Sequence, residues 1–249
     1  MRGVLRVYRR TPRLFMAKYN DVATAAFYPR LGEYALFQGI DASNLEAMLN
    51  CVGARIEKHD KNSFVMLDTD DVICAGLILE GKVAIVKEDE HGHQSLIAYL
   101  TEGDVFGETS ALSRERILAA SYKTMTKCTI MYLSVSRVLN TCRNNCPFHR
   151  RLIINLFDCV TRKNAMLIRK IDILSRSTIR GKIMAYLQDA LSIYNIGKGT
   201  PDNRKVMIPL NKMEMAHFLS VNRSALAREL SAMKQDGLID FNGSLYTIL

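Results

Sequence analysis

The 249-residue chain has no tryptophan, only 14 glycines and 5 prolines, and few aromatic residues, 8% of the total. So little glycine and proline excludes a fibrous or low-complexity chain. No run of roughly eighteen apolar residues goes uninterrupted by charge, so no membrane-spanning helix and no membrane partner are expected. The six cysteines (Cys51, Cys74, Cys128, Cys142, Cys146 and Cys159) follow no regular spacing. A disulfide scaffold is therefore excluded, and free thiols in a reducing cytoplasm are the expectation. The close pair Cys142 and Cys146, with His149 nearby, lacks the two-residue gap of most zinc and redox pairs. No metal site and no cofactor are expected. A nucleophile elbow, P-loop, zinc-protease motif and dinucleotide fingerprint are all missing. With His59, His91, His93, His149 and His217 dispersed along the chain, the sequence does not read as an enzyme.

What the chain does have is an uneven surplus of positive charge. The net is +9 overall, but residues 1–30 carry +6, residues 31–147 carry −5, and residues 148–175 and 176–249 carry +4 each. An acidic body followed by a basic carboxyl-terminal third suits an anionic partner such as nucleic acid, while a solvated charged face is the alternative. The opening segment lacks the compact apolar stretch of a secretory signal, because arginines interrupt it every few residues. Residues 1–30 are expected to form a poorly ordered basic extension; an organelle transit peptide, or an upstream start codon ahead of a chain beginning at Met16, are the alternatives.

Between residues 52 and 135 short apolar alternations are broken by turn signals at Gly81, at Glu90-His91-Gly92, and at Gly103-Asp104. Strands at roughly ten-residue spacing with glycine turns predict an antiparallel sandwich or barrel. Before them, ASNLEAMLNCV predicts a short amphipathic helix capped by Ser43 or Asn44. From Pro147 to Ser175 the period changes to about 3.6, and a helix of that length would span about 40 Å. Its apolar recurrence at Ile153, Leu156, Val160, Leu167 and Leu174 predicts a seam that pairs with a second copy, although Lys163 and Lys170 interrupt the heptad. Packing of that seam on the chain's own sheet is the alternative.

A further helix holds Ile179, Ile183, Leu187 and Leu191 on one face and ends in a glycine- and proline-bearing loop. Asn211 with Glu214 then reads as a capping box, and Asn222 caps a second helix after the break at Ser220-Val221. Leu226, Leu230 and Met233 form the buried stripe of that helix, leaving Arg223, Ser224, Ala227, Arg228 and Ser231 outward. Gly237 stops it, and Asn242-Gly243 between apolar runs signals a hairpin. Helix, turn, helix and β-wing make a winged helix-turn-helix. Arg223 stands in the first helical turn and Arg228 about 140° around the axis from it. Either guanidinium can reach a guanine edge in the major groove. Lys212, Asn222 and Lys234 are candidate phosphate contacts, which give affinity without sequence information, and Asn211 and Ser224 are further DNA-binding candidates.

The order EGKVAI, charged hairpin, LTEGDVFGE resembles the cyclic-nucleotide-binding jelly roll of the Crp/Fnr family of bacterial transcription regulators, and VNRSALAREL resembles that family's recognition helix. The resemblance covers residues 31–249. It implies an α+β protein: an antiparallel β jelly-roll sensor domain at 31–146, a long dimerisation helix at 147–175 and a winged helix-turn-helix at 176–249. It also implies a homodimer on double-stranded DNA, a small-molecule effector and, as a further partner, RNA polymerase. It places the effector site at Gly107, Glu108, Thr109, Ser110, Leu118 and Ala119, where the glutamate would accept from a ribose hydroxyl. Leu118-Ala119 stand where the family carries an arginine and a hydroxyl residue for the cyclic phosphate; Arg114 and Arg116 lie close by in sequence. An apolar pair cannot neutralise a buried phosphodiester, so the effector is expected not to be cAMP. Ser224 stands where an acidic residue is frequent in the family, so the family's usual half-site is not carried over. A redox or haem-based gas sensor on the same fold, and an effector-binding module without regulated DNA binding, are the remaining alternatives.

Overall fold

Two strands dictate the architecture. In each of Cys74–Glu80 (β3) and Cys128–Ser134 (β8) six successive residues are buried, so both faces of these strands need a cover. The computed structural model describes residues 27–67, 72–89, 94–114, 118, 120–140, 147–195 and 204–249. Most of the basic extension, the hairpin tip Glu90-His91-Gly92, Arg116, Ala119 and the pair Cys142/Cys146 lie outside these residues.

β3 and β8 are the inner strands of a four-stranded antiparallel sheet, with Arg55–His59 (β1) beside β8 and Val105–Phe106 (β6) beside β3. A second antiparallel sheet runs in the order Phe64–Met66 (β2), Ser121–Thr124 (β7), Val83–Glu88 (β4) and Gln94–Leu100 (β5). Ile78, Ile130 and Tyr132 of the first sheet meet Val83, Ile85, Leu100 and Tyr122 of the second between the layers. The opposite face of the first sheet, with Leu77, Leu79, Met131 and Leu133, is roofed by helices. Those helices are Tyr28–Leu31 (α1), Ala42–Val52 (α2), Val135–Leu139 (α4) and the amino-terminal half of Pro147–Leu174 (α5). The short Glu108–Leu112 (α3) follows β6. The cap of α2 differs from expectation: the helix begins one residue after Asp41, whose side chain makes no capping bond. With Asp41, Ser43 and Asn44 all residues of capping type, composition could not choose between them.

The long helix departs from its expected orientation. Leu152 and Leu156 are buried against the chain's own sheet, and Asn155 Nδ2 donates to the carbonyls of Leu36 and Gln38, each at 2.9 Å. Lys163 and Lys170, which read as breaks in a dimer seam, lie on this inward side and donate to groups of the β-roll. The helix residues that face outward are Ile154, Phe157, Ile168 and Ile171.

Beyond α5, Ile179–Asn195 (α6), Lys212–Phe218 (α7) and Arg223–Gln235 (α8) enclose a third core of Ile183, Leu187, Met215, Leu226, Leu230 and Met233, which also takes in Ile173 of α5. Lys205–Met207 (β9), Ile239–Asn242 (β10) and Leu245–Ile248 (β11) form the wing in the order β10-β11-β9. The hairpin stands where Asn-Gly signalled it, but the turn is displaced by one residue. Asn242 pairs with Leu245, leaving Gly243-Ser244 as the loop, with positive φ (60°) at the glycine. Glycine first in a two-residue loop is the type II′ pattern rather than I′.

β5 is an edge strand, and its pairing with β4 shifts register at Ile97. Lys170 Nζ donates to the carbonyls of Leu96, at 3.0 Å, and Ile97, at 2.5 Å, covering the bulge. Burial lowers the Lys170 ammonium from its ordinary value to about 8. The folded state thus holds this proton less tightly than the unfolded chain, so the burden is full below about pH 8 and is relieved as pH rises toward the ordinary lysine value. Thermal melts from pH 7.5 to 10 should show the wild type gaining stability relative to Lys170→Met. Parallel curves would contradict that assignment.

Candidate effector pocket and nucleic-acid interface

Gly107 joins β6 to α3 at φ +75°, and a Cβ there would lie 2.6 Å from Met66 Sδ and 3.1 Å from the Cys74 carbonyl. Glycine is required both for the left-handed backbone and for the close approach. The turn sends Glu108 inward, to 1% exposure. Its Oε1 accepts from Lys163 Nζ at 2.6 Å and from the Thr109 hydroxyl at 3.1 Å, and Lys163 Nζ donates also to the Val105 carbonyl at 2.5 Å. Glu108 Oε2 is buried and has no partner. Around this pair, burial and the nearby Glu108 charge push the Tyr122 phenol up to about 12. Leu118 packs with Phe106 and Tyr122 in the inter-sheet core.

Gly107, Glu108, Ser110 and Leu118 are therefore buried, Thr109 is exposed, and Arg114 points to solvent. Lys163, not expected at this site, is its cation, partly buried and already bonded to the carboxylate. Glu108 Oε2 has the lone pairs to accept from a polar donor, whereas a buried anion would find Leu118 where a cation is needed. No sequence signal could have found Lys163, because its partner is 55 residues away.

In the carboxyl-terminal domain Asn211 and Glu214 form the expected capping box, with Asn211 Oδ1 accepting from Met213 and Glu214 and Glu214 Oε2 accepting from the Asn211 N–H. Asn222 Oδ1 caps α8 by accepting from Ser224 N at 2.9 Å, and it also accepts from the Ser224 hydroxyl at 2.6 Å. Both asparagine oxygens are thus occupied. Arg223, Ser224 and Arg228 are exposed on one side of α8. Lys234 pairs with Asp240 on the wing at 2.6 Å, which holds that carboxyl below its usual range, and the ammoniums of Lys212 and Lys234 lie over the Phe241 ring. The residue that sequence reasoning missed is Arg180. It bonds Glu229 at 2.6 Å and Asp236 at 2.7 Å, adding an exposed polar tie between α6 and α8 to the apolar packing of Leu226, Leu230 and Met233. Of the predicted seam, Leu156 is 4% exposed, and Ile153, Val160, Leu167 and Leu174 are partly buried.

Among the described residues no group of His, Cys, Asp and Glu could hold a metal ion, and no helix is long and apolar enough to cross a membrane. The cyclic nucleotide-binding domain family matches residues 56–145, and the Crp-like helix-turn-helix domain family matches residues 181–249. The chain belongs to the Crp/Fnr family of transcription regulators. It is 20% identical over 171 residues to the cAMP-activated global transcriptional regulator CRP of Pasteurella multocida, covering 69% of this chain and 78% of that one. It is 22% identical over 174 residues to the cAMP-activated regulator Vfr of Pseudomonas aeruginosa, with the same coverage. Among solved structures, the c-di-GMP responsive regulator CLP of Xanthomonas campestris shares the fold at TM-score 0.62 and 17% identity, over 84% of this chain and 99% of that one.

For this Crp/Fnr regulator the Glu108–Lys163 pair carries a direct stability consequence. Lys163→Met leaves a buried carboxylate without its counter-charge, a loss of about 3–5 kcal/mol. Glu108→Gln combined with Lys163→Met should recover most of it, as a double-mutant cycle of urea melts would show. Equal melts for the wild type and the single variant would contradict the pairing.

Proposed function

We propose that the chain is a cytoplasmic, homodimeric, sequence-specific DNA-binding regulator that reads an inverted repeat and answers to a small effector other than cAMP. The observation that carries the reading is the outward face of α8. Arg223, Ser224 and Arg228 stand exposed, while Leu226, Leu230 and Met233 seat the helix in the core and the Asn222 cap closes its first turn. The Ser224 hydroxyl hydrogen is engaged by Asn222, so toward a base edge Ser224 offers lone pairs and suits a donor such as cytosine N4 or adenine N6. Domain limits of 31–146, 147–175 and 176–249 fit this division of labour, with residues 1–30 as an extension. RNA polymerase is the partner that transcription control requires.

Two copies would meet along α5, where the exposed pairs Ile154/Phe157 and Ile168/Ile171, each three residues apart and fourteen residues from one another, fall on one heptad stripe with Thr161 and Asn164 between them. Phe157, Ile168 and Ile171 are 58%, 59% and 64% exposed, apolar surface that association would remove from water. Phe157→Glu should turn a dimer into a monomer in sedimentation at micromolar concentration. An unchanged sedimentation profile would move the interface elsewhere.

The effector reading rests on Glu108, whose one unpartnered oxygen calls for a donor, and on Leu118, which offers nothing to a phosphodiester. Binding selection from random duplexes tests the DNA reading. The enriched sequences should be palindromic, with half-sites about one helical turn apart. Arg223→Ala should relax the preference at one symmetric base pair by about 1–3 kcal/mol. A uniform loss across all sequences would make Arg223 a phosphate contact, and no palindromic enrichment would overturn the reading.

A further inference from the structure

Where β1 and β3 end and β8 begins, the first sheet holds a cleft of about 380 Å³. The buried Cys128 and Thr129 and the half-buried His59 floor it, and exposed Lys58, Asp60, Glu80 and Lys127 form its rim. At its other end β3 sets Cys74 beside Gly107, so about 20 Å of strand separates the cleft from the Glu108 pair. Local structure fixes the lining groups. The pairing of β3 with β8 shifts register between Ile78 and Glu80, which brings Glu80 opposite Thr129, and the Thr129 hydroxyl donates to Glu80 Oε2 at 3.0 Å. Lys58 pairs with Thr129 from the β1 side, so the Lys58 and Glu80 backbones stand two strands, roughly 10 Å, apart. Tyr132, 3% exposed, holds His59 through a hydroxyl 3.1 Å from Nε2. The Asp60 carbonyl accepts from the Thr124 hydroxyl at 2.6 Å. A Cβ at Gly81 would lie 2.5 Å from the Lys127 carbonyl, so the turns that follow Glu80 and precede Cys128 are closed on one another. Among the described residues no ion pair joins any two of the four rim charges.

We propose that this cleft is a second ligand site on the sensor domain and that its ligand is a small zwitterion, a free α-amino acid. Lys58 and Lys127 take the carboxylate, and Glu80 and Asp60 take the ammonium. The rim selects against the other classes of ligand. An inorganic anion would meet two carboxylates. A cation would meet two ammoniums, and among the described residues no group of His, Cys, Asp and Glu could hold a metal ion. An apolar molecule would strip water from four charges and leave them unpaired. A molecule with both signs on a short frame matches all four through charge-assisted hydrogen bonds. Glu80, already oriented by a buried hydroxyl, loses little freedom on binding. Exposure of the rim sets the strength: binding is weak, of millimolar order, and falls as salt screens the charges. The site stands apart from the Glu108 pocket and needs no DNA.

The test is calorimetric titration of the full-length chain, without DNA, with each standard L-amino acid in turn at up to about 10 mM. At least one should give a saturable isotherm. Its N-acetyl form, which lacks the ammonium, and its carboxamide, which lacks the carboxylate, should each bind at least about five-fold more weakly. Glu80→Gln and Lys127→Gln, both at exposed positions, should each weaken the free amino acid at least about three-fold while melting as the wild type does. In amide NMR spectra the signals of Cys128 and Thr129 should move on binding, and those of Glu108 and Leu118 should stay. Absence of binding by every amino acid, undiminished binding of either blocked form, or wild-type binding in either variant would overturn the site. Movement of Glu108 and Leu118 instead would put the ligand in the effector pocket and overturn it equally.

Discussion

The molecule is organised around a sheet that cannot face water on either side. β3 and β8 are apolar on both faces, so the first sheet needs a second sheet beneath it and a helical roof above it. That requirement draws the chain's amino-terminal helices and the first half of α5 over the sensor domain. It leaves the rest of α5 free to enter the carboxyl-terminal core through Ile173. One helix thereby belongs to two cores, and the relation between the Glu108–Lys163 pair and α8 is set by how that helix lies.

Its placement is fixed less by apolar contact, which is tolerant of small slides, than by three polar groups on the inward side. Asn155 engages two carbonyls of the roof, Lys163 engages Glu108 and Val105, and Lys170 engages the bulge of β5. Each has an unmatched partner if the helix slides, and an unmatched buried polar group costs about 1–3 kcal/mol. The three act as teeth that index the helix.

Local chemistry was readable from the sequence, and long-range pairing was not. The capping box at Asn211 and Glu214 involves residues three apart, and the α8 cap at Asn222 is equally local; both stand where the residue types placed them. Helix α5 was legible in extent because its period is sustained. Its facing was not, since Leu156 and Phe157 are both apolar and only the tertiary fold decides which turns inward. Lys163 and Lys170 read as flaws in a seam because their acceptors lie 55 and 73 residues away in the chain. Arg180 was silent for the same reason, its carboxylates being 49 and 56 positions downstream. The charge pattern pointed to an anionic partner but weighed the wrong residues. Part of the carboxyl-terminal surplus is internally neutralised, as in Lys234–Asp240, while the exposed arginines of α8 are few.

The uncovered rim of β5 makes one domain depend on the other. A strand whose outer hydrogen-bonding groups are sheltered, among the described residues, by a lysine and a neighbouring domain is safe while the two halves stay together. Separation offers the strand to whatever backbone is nearest, including that of another copy. The carboxyl-terminal domain therefore bears on the integrity of the amino-terminal one at its most open border.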